Sequence, residues 1–215
     1  MFKTKMILRY VIFLTGILLI GLGIALSTKM GLGTTPISVI PLVLSGGFPI
    51  SFGMVANILN LSFVLIEILI QRKGFNRDIL LQILIVPFFG YFIDFGFAVF
   101  SNLVPGSIVS QLLLLIVGCL LMALGIYMQI VADVIINPCE GLVMAIAERF
   151  KTKFGNVKIM MDVSIMLVGV TLSLLVFGEV RGVGIATVVV AVSTGYFIKG
   201  FKKIFDNFSP NWLFE

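Results

Sequence analysis

Six stretches of this chain, 8–28, 53–71, 79–100, 109–130, 155–177 and 183–199, each hold close to the run of about 20 apolar residues that a helix needs to cross a bilayer. Only short connections separate them, which leaves no room for a soluble domain. The composition follows: 60% of residues are hydrophobic, 12% are charged and the mean hydropathy is +1.19, outside the range of soluble globular domains. Two more apolar pieces, 34–46 and 136–147, are too short to span and read as re-entrant or half helices.

Charge orients the spans. With a cytoplasmic N-terminus and six crossings, the C-terminus is cytoplasmic too, and every lysine and arginine except Lys29 and Arg181 falls on that side. This is the positive-inside bias. The net charge of +5 is therefore topological and calls for no nucleic-acid partner. A basic start before an apolar run also fits a secretory signal, but the first span has a counterpart deep in the chain, which argues against cleavage. Cys119 and Cys139 form neither a CxxC nor a metal-ligand pattern and read as small packing residues. The absence of histidine disfavours a zinc, haem or Ser-His-Asp site, and no GxxxxGK[ST] is present. No cofactor, metal or catalytic residue is expected.

The counterpart comes from an internal repeat. A shift of 102 residues aligns Gly16 with Gly118, Leu22-Gly23-Ile24 with Leu124-Gly125-Ile126, Pro36 with Pro138 and Phe52-Gly53 with Phe154-Gly155. A further shift of 3 aligns GYFI at 90–93 with GYFI at 195–198. Residues 1–104 form a first unit with three spans and the short helix 34–46; residues 105–215 form a second with three spans and the short helix 136–147. An odd number of crossings per unit turns the second upside down, a plan common among secondary transporters. Gly16 and Gly23, like Gly118 and Gly125, lie on one helix face and allow close helix packing.

Each unit breaks its helical pattern at a proline. GLGTTPIS at 31–38 corresponds to DVIINPCE at 133–140, with Thr35 or Asn137 just before Pro36 or Pro138. Threonine or asparagine followed by proline is an N-terminal cap, so each segment is expected to begin a short helix whose free N–H groups face inward. Such an end either binds a polar or anionic group through its dipole or turns in the headgroups. Thr34, Thr35 and Asn137 offer hydrogen bonds there.

Polar residues inside the spans are few. Asn60 and Asp162 are equivalent in the repeat and fall near mid-bilayer. Asp162 either acts on a solute or pairs with Lys158, one turn earlier. Asp94, in GYFIDFG, either couples an ion or snorkels outward, and Asp133 and Glu140 flank the second polar segment. Glu67, close to Arg72 and Lys73, reads as an interfacial surface residue, and Pro87 as a kink.

The order GLG-x-x-P, SFG, GYFID, then an inverted second copy resembles the YczE/YyaS/YitT-like family of bacterial membrane proteins over nearly the whole chain. That family carries an acidic residue two positions after the proline in both units. Here Glu140 keeps it in the second, Ser38 replaces it in the first, and Asp133-Val134-Ile135 replaces GLG. The resemblance implies a bacterial inner-membrane protein with a transport role.

Together these features predict an all-α polytopic membrane protein of six transmembrane helices in two inverted three-helix repeats. The expected function is secondary or facilitative transport of a small polar solute, not enzymatic catalysis. Thr34, Thr35, Pro36, Ser38, Asn60, Asn137, Pro138, Glu140 and Asp162 would line the solute site, with Asp94 or Asp133 for ion coupling. The competing expectation is a non-transporting membrane protein that assembles with or regulates a protein partner. The bilayer is the partner in either case, and a homo-oligomer fits both.

Overall fold

The computed structural model describes residues 2–71 and 78–205. The basic loop residues Arg72, Lys73 and Arg77 lie outside the described residues. Among those described there are eight α-helices and no strand: α1 (Phe2–Lys29), α2 (Val39–Gly47), α3 (Phe52–Gln71), α4 (Asp78–Val99), α5 (Ile108–Ala132), α6 (Pro138–Arg149), α7 (Phe154–Phe177) and α8 (Ile185–Phe205). A 3-10 turn, Pro36–Ser38, leads into α2, so both short apolar segments fold as short helices. Five helices are long and apolar enough to cross a membrane: α1 from Met6, α3, α4 from Ile79, α5 and α7. At a rise of about 1.5 Å per residue, 20 residues of helix match a hydrocarbon core about 30 Å thick. Helices satisfy their own backbone groups, which lipid cannot do. Leu69, Leu84 and Leu175 point outward, the surface such a chain presents to acyl chains. This is a multi-pass membrane protein.

α1 and α5 stop where the backbone turns left-handed. Gly31 follows α1 at φ 72°, and Asp133 caps α5 at φ 46°. Asp133 stands where the repeat register places Gly31, and aspartate is among the few non-glycine residues that tolerate this conformation. The same backbone turn is thus kept where the GLG motif is not.

α1 and α5 cross antiparallel through their glycines. A Cβ added to Gly16 would lie 2.7 Å from the Gly125 carbonyl oxygen, and one added to Gly23 would lie 2.6 Å from that of Gly118. The two backbones touch with nothing between them. Ile24, Leu115, Cys119 and Met122 fill the core beside this seam, and both cysteines are buried and free. At the ends, Arg9 Nε donates to the Ala132 carbonyl at 2.8 Å, while Lys29 Nζ donates to the Phe100 and Ser101 carbonyls.

The second helix pair closes in the same manner. A Cβ on Gly53 of α3 would fall 2.0 Å from the Gly90 carbonyl oxygen of α4. Two side chains lock that crossing: Gly53 N–H donates to Asp94 Oδ1 at 2.7 Å, and Gly90 N–H donates to Asn57 Oδ1 at 2.9 Å. α7 and α8 are not closed in this way. A Cβ on Gly155 or Gly195 would meet nothing within 4 Å. The short helices bridge the assembly, α2 resting on α3 and α7, and α6 resting on α7 and α3.

Candidate functional site

The approach to α2 is pinned by backbone contacts. Thr34 N–H donates to the Gly182 carbonyl at 2.9 Å, Ala186 N–H donates to the Leu32 carbonyl at 3.1 Å, and the Thr28 and Thr34 hydroxyls bond each other at 2.7 Å. The loop of α1 is thereby zipped to the start of α8, and Pro36 is delivered to the protein interior. Asn137 and Pro138 arrive there from the end of α5. Thr35 and Asn137 occupy the N-cap positions, but neither side chain caps its helix. Thr35 Oγ1 donates to Ser38 Oγ at 2.6 Å, and Asn137 Nδ2 donates to Gln129 Oε1 at 2.8 Å. The expected capping bonds are replaced because better-placed partners compete for the same side chains. Proline brings no N–H of its own, and the next amides of a helix start have no intrahelical acceptor.

The two proline ends face one cavity of about 280 Å³. Its walls include Thr35, Pro36, Asn60, Asn137, Pro138, Glu140, Lys158 and Asp162, with Ile17, Ile20 and Phe89 as an apolar side. Lys158 Nζ donates to Asp162 Oδ1 at 2.7 Å and approaches Cys139 Sγ at 3.7 Å. Glu140 stands within electrostatic reach of both Lys158 and Asp162. One ammonium thus serves two carboxylates, and the Asn60 amide makes no hydrogen bond to any described residue. The arrangement combines helix starts, an amide and an ion pair around a space the size of a small polar molecule. Asp162 is both the paired residue and a cavity residue, so its two readings from sequence describe one side chain.

Seven of the residues singled out from sequence therefore meet in this cavity, and four do not. Thr34 and Ser38 are buried in the scaffold, Thr34 against Thr28 and Ser38 against Thr35. Asp94 sits in the α3–α4 lock. Asp133 pairs with Arg9 at 3.3 Å, with its side chain largely exposed.

A second cavity of about 730 Å³ adjoins the first and shares Ile126, Asn137 and Glu140 with it. Glu67, Asp133, Glu140 and Glu148 line it, together with Gln82 and Gln129. Glu67 is a correction to the sequence reading: it is buried, not a surface residue. Its neighbours in sequence suggested a surface role, but α4 and α6 close over it. The polar residues within the spans that sequence reasoning passed over, Gln82 and Gln129, were the signal for this second space.

Comparison with known proteins agrees with the motif resemblance. A family model described as "Family of unknown function (DUF6198)" matches residues 7–203. An uncharacterized protein of Haemophilus influenzae is 25% identical over 194 residues, 90% of this chain and 83% of its own length. The uncharacterized protein YyaS of Bacillus subtilis is 26% identical over 145 residues, 67% of this chain and 71% of its own length. No solved structure matches the chain.

Proposed function

The chain belongs to that family of unknown function, DUF6198, and since membership brings no activity with it, we propose from the geometry that the protein is a secondary or facilitative transporter of a small polar solute. The observation that carries this reading is the central cavity, where the two proline ends, the Lys158–Asp162 pair and the Asn60 amide converge. We take the architecture to be six spans, with α8 as the sixth, in two inverted three-helix repeats. The seam supports this. Under the repeat, Gly16 corresponds to Gly118 and Gly23 to Gly125, and a two-fold axis turns the Gly16–Gly125 contact into the Gly118–Gly23 contact. The short helices obey the same exchange, since α2 touches α7 as α6 touches α3.

Unequal closure of equivalent pairs supports a moving assembly. α3 and α4 are locked at Gly53 and Gly90, whereas their counterparts Gly155 and Gly195 stand apart. If the halves exchanged conformations, the second pair would close as the first opened, and the cavity would change sides. In the cell the protein would lie in the bacterial inner membrane with both termini cytoplasmic, and the cavity in the arrangement described would open toward the cytoplasm. We propose no catalytic role.

The test is a thermal-shift screen of the purified protein against classes of small polar metabolites, repeated with Asp162→Asn. One class should stabilise the parent and lose its effect in the variant, and the same variant should abolish movement of that compound into proteoliposomes. Stabilisation of neither by any class, together with capture of a protein partner by both, would favour the non-transporting alternative. Topology has its own check. A membrane-impermeant thiol reagent added outside should label single cysteines in 101–107 and leave those in 71–77 unlabelled; the reverse pattern would invert the orientation.

A further inference from the structure

We propose that the larger cavity ends in a cation-binding site, where the Glu67 carboxylate and the Gln82 amide oxygen hold an alkali-metal ion or the ammonium group of an organic amine. Glu67 is 3% exposed and Gln82 4%. Gln71 Nε2 donates to Glu67 Oε1 at 3.3 Å, but Glu67 Oε2 and Gln82 Oε1 have no hydrogen-bond partner among the described residues. The Gln82 amide nitrogen faces the carboxylate and interacts with it, which leaves Gln82 Oε1 without a donor of its own. Two buried oxygens without a donor are costly unless a donor or a positive group reaches them, and a cation in the cavity they border would serve both.

The surroundings select for charge. Four carboxylates line this cavity: Asp133 is paired with Arg9 and Glu140 lies near Lys158, while among the described residues Glu67 and Glu148 have no cationic partner and no lysine or arginine lines the cavity. Such a lining concentrates cations. Oxygen ligands suit hard ions, and no group of three His, Cys, Asp or Glu side chains converges among the described residues, so a divalent site is disfavoured. Gln129 accepts from Asn137 Nδ2 through its Oε1, which ties the same wall to the central cavity.

The site is also built into one half only. A Cβ on Gly141 of α6 would fall 2.6 Å from Glu67 Oε2 and 2.9 Å from Gln82 Nε2, so the absence of a side chain there lets the helix lie against the carboxylate. In the repeat register of 102 residues, Glu67 corresponds to Gly169 and Gly141 to Val39. Gly169 and Val39 do touch, with a Cβ on Gly169 lying 2.5 Å from a Val39 methyl carbon. One contact is polar and its counterpart apolar, which a purely structural role for Glu67 leaves without a reason.

The inference rests on the transport reading only in naming a co-ligand for it, and binding is measured without transport. The full-length protein in detergent is unfolded thermally in lithium, sodium, potassium and methylammonium chlorides against choline chloride at equal ionic strength. At least one salt should raise the midpoint by about 3 °C or more over choline. A response to a metal chloride identifies an inorganic ion, and a response confined to methylammonium identifies an amine. Glu67→Gln should remove the response, Gln82→Leu should weaken it, and Glu179→Gln, in an exposed ion pair away from this cavity, should keep it. Equal midpoints in all salts, or a response that survives Glu67→Gln, would overturn the site. The parent protein decides the matter alone if the variants fail to fold. A cation response without solute movement would leave this site standing and remove the transporter; the converse would do the opposite.

Discussion

Gly195→Leu is expected to stop solute movement while leaving the protein as stable as its parent, or slightly more so. In the arrangement described, a Cβ at 195 meets nothing within 4 Å, and exchanging a mid-helix glycine for leucine gains helix propensity of several tenths of a kcal/mol. The effect arises in the exchanged arrangement. There Gly195 would have to approach Gly155 as Gly90 approaches Gly53, where a Cβ lies 2.3 Å from the Gly53 carbonyl oxygen. A leucine cannot make that approach, so the molecule is held in one state. Uptake of the solute found by thermal shift, measured in proteoliposomes, should fall below a tenth of parental, with an unchanged melting midpoint and retained solute binding. Parental uptake by this variant would mean that α7 and α8 need not close, and the exchange of the two halves would have to be abandoned.

Gly125→Val should have the opposite signature: unfolding, not arrest. Gly125 presses on the Gly16 carbonyl, with a Cβ only 2.5 Å from that oxygen and 2.8 Å from an Ile20 side-chain carbon. Both neighbours belong to α1, and one is backbone, so there is no flexible side-chain tip to yield. Overpacking of a tight core costs about 1–3 kcal/mol, which for a chain of this size lowers the midpoint by roughly 2–12 °C. Gly155→Ala, in open space, is the control and should stay within about 2 °C of the parent. Equal midpoints for the two variants would mean that α1 and α5 do not meet through their glycines in solution.

The sequence foretold the element order because spans, breaks and turns are local signals: apolar length, prolines after Thr35 and Asn137, glycines in register. It also singled out Asn60 and Asp162, polar where lipid permits little polarity, and both line the central cavity. What it concealed depends on partners distant in the chain. Glu67 reads as interfacial beside Arg72 and Lys73, and only the closeness of α6 at Gly141 buries it. Asp94 reads from sequence as an ion ligand or a group snorkelling outward, and the structure adds a partner neither reading named, the Gly53 amide of α3. Thr35 and Asn137 hold capping positions by sequence and lose the capping bonds to Ser38 and Gln129. In each case the residue type and its depth were legible, while the competing partner was set by tertiary packing.

The reciprocal sizes at Glu67–Gly141 and Gly169–Val39 bear on ancestry. A gene duplication of the proposed kind begins with interchangeable halves, and these two have since traded bulk across the axis. Fusing residues 1–104 to a second copy of itself would set a valine against each Glu67, overfilling both contacts. Fusing 105–215 to itself would set glycine against glycine and leave a void in each. Neither half can now rebuild the symmetric progenitor alone, so the specialisation of the acidic side is sealed by volume as well as by charge.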